Sequence, residues 1–411
     1  MAVVFSILFL ILVSAFDCST GSTAVIGINY GQVADNLPPP DAVIPLLHSL
    51  GAAHVKLYDS DPKVLRAFSG SDLEFVVGLP DGSVPRIASS PSAAQSWVDD
   101  NLRPYLPKTK ISAVTVGNEV LSSNNTALVQ SLVPAMASLH SALSSLGFDG
   151  VHVTTAHSLS VLSVSYPPSA GAFRKDLLPY ITPLLAFLNK TGSPFLINAY
   201  PFFAYKADPK KVALDYVLFE PNSGVVDSGS GLKYDNMLHA QVDAVRAAIA
   251  AAGAKGVEVR VSETGWPSRG DEDEYGATPE NAAKYNGNLM KMVAQGKGTP
   301  MCPGSPLSVY VFALFNENLK PGPASERHYG LFNPDGTAAY DVGVVKSGAG
   351  NSSAGGSAAN STDQPRTNDA VSPDGFYTIS AAPERGFGFW SGRAVAAAAA
   401  TVTVIAVVSL L

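Results

Sequence analysis

Cysteine and charge are both scarce in this chain of 411 residues, and each shortage excludes a class of protein. Cysteine occurs only at Cys18 and Cys302. Because Cys18 lies in a stretch with the features of a removable leader, we expect Cys302 to be a lone thiol and the fold to depend on its hydrophobic core instead of on disulfides. Charged residues make up 15% of the chain and the net charge is −7, which argues against a nucleic-acid partner.

The sequence motifs of several other classes of enzyme are also missing. The chain has no G-x-S-x-G nucleophile elbow, no P-loop and no dinucleotide-binding fingerprint. The histidine pairs His48/His54 and His152/His157 do not have the spacing of zinc ligands. We therefore predict neither a bound metal nor a cofactor.

The N-terminus has the composition of a secretory signal. Residues 2–13 form a hydrophobic run that small residues follow, although no Lys or Arg precedes Lys56. Cleavage fits either after Ala15 or later, near Thr23, and we assign residues 1–23 to the signal peptide. Four N-x-S/T sequons are compatible with secretion and glycosylation: Asn124, Asn189, Asn351 and Asn360.

The C-terminus is apolar as well. Residues 394–411 contain no charge and follow a polar spacer, which is the pattern of a signal for attachment of a glycosylphosphatidylinositol (GPI) anchor. Ser380 precedes two alanines and is the expected attachment residue, so residues 381–411 would be removed. A retained membrane helix is the alternative, because eighteen apolar residues are barely enough to span a bilayer. We expect a secreted monomer on the outer face of the plasma membrane.

Between these ends, residues 24–342 alternate short β-type runs with amphipathic helical patterns. Such alternation indicates parallel strands, and eight units over roughly 320 residues predict an α/β fold of the (β/α)₈ TIM-barrel type. A long connection from Tyr200 to Tyr234 predicts a small subdomain inserted after strand six. Residues 343–380 are rich in Gly, Ser and Pro and predict a stalk. The predicted strands are residues 24–29, 54–58, 74–79, 111–117, 151–156, 195–198, 257–262 and 309–315.

Two carboxylates come directly after predicted strands, at the end of the barrel where active sites lie. Glu119 follows the fourth strand and Glu263 the seventh. Two carboxyl groups at one rim suit cleavage of a glycosidic bond, in which one protonates the leaving oxygen and the other attacks the sugar or positions water. Taken alone, Glu263 could also be an ordinary strand-end acid that caps a turn.

Other polar and aromatic residues follow the same strands, and we expect them to bind substrate. Asn118 is placed to contact a sugar 2-hydroxyl. Flat aromatic rings suit the faces of sugars, although any one of them is more often a core residue. The remaining candidates are Tyr30, Tyr58, Asn198, Tyr200, Phe203, Trp266 and Asn316.

Six segments in order along the chain resemble plant endo-β-1,3-glucanases of glycoside hydrolase family 17. The two glutamate motifs carry most of this resemblance, namely V-G-N-E-V at 116–120 and V-S-E-T-G-W-P-S at 261–268. The other four are I-N-Y-G at 28–31, V-K-L-Y-D at 55–59, N-A-Y-P-F-F at 198–203 and F-A-L-F-N-E-N at 312–318. The resemblance implies a (β/α)₈ barrel that cleaves β-1,3-glucan of the plant cell wall. No cysteine follows Cys302, so a cysteine-rich carbohydrate-binding module is not expected.

The same resemblance implies roles for individual residues. Glu119 would be the acid/base and Glu263 the nucleophile of a retaining reaction, with Glu280, Lys284 and Glu317 in support. Lys284 lies four residues after Glu280, so both occupy one helix face, and its charge would help to keep Glu263 ionised. A transglycosylase with the same residues, a weakly active glucan-binding wall protein and a preference for mixed 1,3-1,4 linkages remain alternatives.

Overall fold

The computed structural model describes residues 24–343, and eight parallel strands close into a barrel at their centre. Each strand is hydrogen-bonded to its neighbour along the chain, and the last strand pairs with the first, with Val309 opposite Ile26. The (β/α)₈ prediction is confirmed, since all eight strands lie where the sequence places them, within a few residues at their ends. They are β1 Ile26–Asn29, β2 His54–Lys56, β3 Glu74–Leu79, β4 Lys110–Asn118, β5 His152–Ser158, β6 Phe195–Asn198, β7 Val259–Thr264 and β8 Val309–Val311.

Ten helices lie within residues 24–343, and several begin at a residue whose side chain caps the first turn. Side chains of Asp61, Ser90, Asn125, Asn236 and Thr278 accept hydrogen bonds from the first-turn N–H groups of their helices. The helices are α1 Ile44–Ser49, α2 Pro62–Ala67, α3 Val84–Ser89, α4 Pro91–Asn101, α5 Thr126–Ser145, α6 Leu178–Thr191, α7 Pro201–Ala207, α8 Leu214–Val217, α9 Met237–Ala251 and α10 Pro279–Ala294.

The long connection after β6 contains α7, α8 and a two-stranded antiparallel ribbon, Val225–Val226 with Lys233–Tyr234. Phe202 of α7, Val217 of α8 and Tyr234 of the ribbon are all buried in the main hydrophobic core of the barrel. The connection therefore extends that core and is not an independent unit with a core of its own.

Strand alternation sends some polar side chains into the barrel. Asn29 of β1 and Lys56 of β2 are paired in register, and both side chains are buried. Ile28 and Val55, their neighbours along the strands, are buried in the main core. Because successive side chains of a strand face opposite sides, the two polar side chains lie next to each other on one face of the sheet.

The last described residues run along α10. The Tyr340 hydroxyl accepts a hydrogen bond from Asn286 Nδ2 at 2.7 Å. A side chain at Gly287 would collide with the carbonyl oxygen of Val342, and Gly343 lies beside the Lys291 ammonium group. The chain thus follows α10 from its middle toward its C-terminal end.

One expectation about cysteine is wrong. Cys302 is buried and forms a disulfide, so it is not a lone thiol. The sequence has one other cysteine, Cys18, which lies outside the described residues.

The predicted terminal segments also fall outside the described part of the chain. These are the signal peptide, the stalk, Ser380, the apolar tail and the sequons at Asn351 and Asn360. The other two sequon asparagines, Asn124 and Asn189, are exposed. Within residues 24–343, no helix combines the length and apolar composition needed to cross a membrane.

Candidate active site

Glu263 lies at the carboxyl end of β7 and its side chain is 0% exposed. Both of its carboxylate oxygens accept hydrogen bonds. Oε1 accepts from the Tyr58 hydroxyl at 2.7 Å and from Lys56 Nζ at 3.2 Å, and Oε2 accepts from the Tyr200 hydroxyl at 2.9 Å. Removing a carboxylate from water is costly unless charge and hydrogen bonds compensate. The site supplies both, which favours the ionised form of Glu263.

Lys56 was not among the residues singled out from the sequence. Its side chain is 1% exposed, and besides Glu263 it contacts Asn29 Oδ1 at 3.2 Å. The ammonium group also lies 4.0 Å from the centroid of the Tyr58 ring, close enough for a cation–π contact. A lysine in the middle of the run H-V-K-L-Y was the available signal, because a charged residue between buried strand positions needs a partner.

Glu119 follows β4 directly and is half-buried. Its Oε1 accepts a hydrogen bond from Asn198 Nδ2 at 2.7 Å. The orientation of the Asn198 amide is fixed because its oxygen accepts from Ser262 Oγ at 2.7 Å. The two acids therefore have different surroundings: a neutral amide contacts Glu119, whereas a cation and two hydroxyls contact Glu263.

The backbone at Glu119 is left-handed, with φ 56° and ψ 29°. This region is unfavourable for a residue with a Cβ, and it is held here by the hydrogen bond from the Glu119 N–H to the Ala156 carbonyl at 2.8 Å. Gly117 also has a positive φ of 66°, and a Cβ there would lie 2.7 Å from Asp81 Oδ1. The turn that presents Glu119 therefore requires the glycine of V-G-N-E-V.

Asn118 presents an unsatisfied acceptor beside Glu119. Its N–H donates to Asp81 Oδ1 at 2.9 Å, while its side-chain Oδ1 is buried and has no hydrogen-bond partner among residues 24–343. Burial raises the pKa of Asp81, and the Asn118 N–H opposes that rise. An unpaired buried acceptor is costly, and a substrate hydroxyl would satisfy it, as predicted for Asn118.

Comparison with known proteins identifies the family of the chain. The family model for glycosyl hydrolases family 17 matches residues 26–344, which is most of the chain. The chain belongs to glycosyl hydrolase family 17. Among its relatives, glucan endo-1,3-beta-glucosidase 11 of Arabidopsis thaliana is 57% identical over 343 residues, 83% of this chain and 80% of the relative. Glucan endo-1,3-beta-glucosidase 10 of the same plant is 59% identical over 336 residues, 81% of this chain and 79% of the relative.

Solved structures agree at the level of the whole barrel. CJP38, a beta-1,3-glucanase and allergen of Cryptomeria japonica pollen, superposes with a TM-score of 0.74 and 41% identity, over 77% of this chain and 98% of the other. A structure from a study of two plant beta-glucan endohydrolases with distinct substrate specificities gives a TM-score of 0.72 and 38% identity, over 77% and 99% of the two chains.

Two of the aromatic residues expected to stack on sugar are core residues in this family 17 barrel. Trp266 is fully buried, with its ring 5.2 Å from that of Phe202 and 5.5 Å from that of Tyr285. Its Nε1 donates to the Gly276 carbonyl at 2.7 Å. Tyr30 is also buried, edge-on to Phe315 at 6.0 Å. Neither ring has an open face for a sugar, so the expectation of a stacking platform is corrected for both.

The other binding candidates occupy different positions. Tyr58 is half-buried and Tyr200 is buried, and both direct their hydroxyls to Glu263. Phe203 is half-buried and packs against Tyr200 at 5.4 Å, so part of its side chain is accessible at the rim. Asn316 accepts from the Gly330 N–H at 2.9 Å and donates to Asn333 Oδ1 at 3.1 Å, which ties two loops together.

The three supporting residues lie in two places. Glu317 is buried, and its Oε1 accepts from the Val33 N–H at 2.8 Å. A Cβ at Gly31 would lie 2.5 Å from both Glu317 oxygens, so the glycine of I-N-Y-G makes room for this carboxylate. Glu280 and Lys284 are exposed on α10, and Lys284 Nζ lies 2.9 Å from Glu220 Oε1.

The site also lacks a cluster of metal ligands. In the part of the chain that the structure describes, no group of three or more His, Cys, Asp or Glu residues is placed to hold a metal ion.

Proposed function

We propose that the protein hydrolyses internal 1,3-β-glucosidic linkages of β-glucan and retains the anomeric configuration. The observation that carries this proposal is the contrast between the two acids. Glu263 is buried and contacts a lysine ammonium and two tyrosine hydroxyls, whereas Glu119 is half-buried and contacts the neutral side-chain amide of Asn198. Two environments of this kind separate the protonation states of a carboxyl pair, as an acid and a nucleophile require. The names of the Arabidopsis relatives support the substrate.

In the proposed reaction Glu119 donates its proton to the glycosidic oxygen as the bond to the anomeric carbon breaks. Glu263 attacks that carbon and forms a covalent glycosyl ester, and the shortened chain leaves with a new hydroxyl group. Glu119, now a carboxylate, takes a proton from water as the water displaces Glu263. The second displacement restores both carboxyl groups and gives the product its original configuration.

The test is release of reducing sugar by the purified protein from laminarin, mixed-linkage 1,3-1,4-glucan and carboxymethylcellulose. We expect activity on laminarin, a β-anomeric product by proton NMR at early times, and near-complete loss of activity in Glu119→Gln and in Glu263→Gln. Wild-type activity in either folded variant, or an α-anomeric first product, would refute the mechanism. Chain lengths of the products at high oligosaccharide concentration distinguish hydrolysis from transglycosylation.

We also propose that the protein is a secreted monomer, carries a GPI anchor on the outer face of the plasma membrane and acts on callose-type glucan of the cell wall. The apolar ends of the sequence, the polar stalk and the exposed sequons at Asn124 and Asn189 support this location. Phosphatidylinositol-specific phospholipase C should release the protein from membranes. Retention in the pellet, while a known GPI protein is released, would favour the alternative of a transmembrane helix.

A further inference from the structure

We propose that Lys56 is the positioning residue that holds Glu263 in its ionised form, the task that the sequence-based prediction gave to Lys284. The inference rests on the proposed function, because it assigns a role within the same reaction. It begins from a direct contact between two buried charges, Lys56 Nζ and Glu263 Oε1, 3.2 Å apart.

The position of the ammonium group is fixed by the strands around it. Lys56 Nζ also donates to Asn29 Oδ1 at 3.2 Å. The Asn29 amide nitrogen lies 3.1 Å from the Ser262 carbonyl oxygen and 3.3 Å from that of Val311, so the amide oxygen is turned toward Lys56. The backbones of β7 and β8 thereby help to set the place of the cation through Asn29.

Because the Lys56–Glu263 pair is buried, Lys56 stabilises the ionised form of Glu263 more strongly than the exposed Lys284 could. Lys56 and Glu263 are 1% and 0% exposed, so water and salt screen their attraction poorly. An isolated buried carboxylate favours its neutral form, and a buried cation in contact reverses that preference. The Lys284 side chain is 49% exposed and pairs with Glu220, where water and salt weaken the interaction.

The ion pair changes during the proposed reaction. Attack on the sugar consumes the charge of Glu263 and leaves Lys56 beside a neutral ester. Displacement by water restores the carboxylate, which Lys56 then stabilises as the leaving group. The titratable groups that contact Glu263 include Lys56 and Tyr58, from β2 and its following loop, and Tyr200, from the end of β6.

The experiment isolates the ionisation of Glu263 from the proton donated by Glu119. The probe is 2,4-dinitrophenyl 2-deoxy-2-fluoro-β-laminaribioside, whose phenolate leaves without protonation while the fluorine slows the second displacement. Intact-protein mass spectrometry measures the labelling rate as a function of pH, and peptide mapping locates the label on Glu263. The variants are Lys56→Met, Lys56→Gln, Lys56→Arg and Lys284→Met, with Lys63→Met as an exposed control on α2.

In the wild type the labelling rate should fall at acidic pH as Glu263 becomes protonated. We expect Lys56→Met and Lys56→Gln to move this decline upward by about one pH unit or more, because the carboxylate loses its cation. Lys56→Arg keeps a charge and should recover most of the wild-type profile. Lys284→Met and Lys63→Met should show the wild-type midpoint.

Lys56→Gln guards against a folding artefact, since glutamine keeps a polar N–H donor on a side chain only one atom shorter and removes the charge. If Lys56→Met does not fold, the contrast between Lys56→Gln and Lys56→Arg decides. A wild-type midpoint in folded Lys56→Gln, or a shifted midpoint in Lys284→Met alone, overturns the assignment to Lys56. Absence of label in the wild-type protein overturns the retaining mechanism itself and, with it, this inference.

Discussion

The side-chain amide of Asn198 donates to the Glu119 carboxylate at 2.7 Å, while its backbone is paired in register with Glu263 on the neighbouring strand. One asparagine therefore connects the two proposed catalytic acids. Its own orientation is set by Ser262, the residue before Glu263. Any displacement of β7 relative to β6 would change the direction in which Glu119 presents its proton.

Replacing Asn198 by Ala should impair proton donation more than substrate binding. We expect kcat on laminarin to fall by about tenfold to a hundredfold, because misplaced general acids lose much of a contribution worth 10²–10⁴-fold. The loss should be far smaller with a dinitrophenyl laminaribioside, whose leaving group needs no proton. Asn288→Ala is a suitable control, since the Asn288 side-chain amide donates to the Leu218 carbonyl at the end of α8. Equal losses on both substrates would contradict this role.

The hydroxyls of Tyr58 and Tyr200 should contribute through different oxygens of Glu263. Each of the variants Tyr58→Phe and Tyr200→Phe removes one donor to the carboxylate, at Oε1 and Oε2 respectively. Hydrogen bonds to charged groups are worth about 1.5–3 kcal/mol, so each variant should lose roughly tenfold to a hundredfold in kcat/KM. The kcat/KM of the double variant shows whether the effects of the two hydroxyls on Glu263 are additive. Unchanged kcat/KM in both single variants would remove the tyrosines from the site.

The stability of the barrel should decrease below neutral pH because of His157. This side chain is fully buried against the Phe195 ring, and burial lowers its pKa to about 3. The unfolded chain binds a proton at His157 below about pH 6.5 while the folded chain does not, so stability falls as pH decreases from about 6.5 to 3. At about pH 5 the loss from this one residue is about 2 kcal/mol.

Urea unfolding at neutral pH and at about pH 5 measures this dependence. His157→Phe keeps an aromatic ring beside Phe195 and removes the titrating group. The variant should lose less stability between the two pH values than the wild type, whatever its absolute stability. His239, whose pKa is lowered to about 4 by burial, remains in both proteins and accounts for part of the residual dependence. Identical pH slopes would contradict the assignment.

The disulfide at Cys302 allows a prediction of where the signal peptide is cleaved and therefore of the N-terminal residue of the mature protein. Cys18 is the only other cysteine in the chain, so a mature protein that keeps an intrachain disulfide has to retain it. Of the two proposed cleavage positions, the one after Ala15 meets this requirement and the one near Thr23 does not. Edman sequencing of the secreted protein and thiol titration under denaturing conditions check this. A mature N-terminus beyond Cys18 with one titratable thiol would contradict it.

The position of both acids could be predicted from the sequence because strand ends are local signals. Glu119 and Glu263 each close an apolar run, and the end of a run can be read without knowledge of the partner strand. The partner of Glu263 could not be found in this way. Lys56 lies 207 residues earlier in the chain, and its contact with Glu263 depends on how β1, β2 and β7 are arranged in the closed barrel.

Burial of aromatic residues was also hard to predict, because it depends on segments that are distant in the sequence. Trp266 follows a catalytic candidate directly, but whether its ring faces a cleft or the core is decided by α7 and α10, which supply Phe202, Tyr205 and Tyr285 around it. The ends of α7 and its neighbour α8 carry weak local signals. The expectation for Cys302 failed because it depended on where a leader is cut, which composition does not determine.

The path of the chain along α10 has a consequence for an enzyme held at a membrane. In a (β/α)₈ barrel each helix starts at the catalytic end and runs toward the opposite end. The segment that passes Asn286, Gly287 and Lys291 follows α10 in this direction, so residue 343 lies farther from the catalytic end than residue 340 does. The chain that leads to the proposed anchor therefore leaves the described barrel away from the catalytic end, and its exit at residue 343 does not crowd the opening of the site.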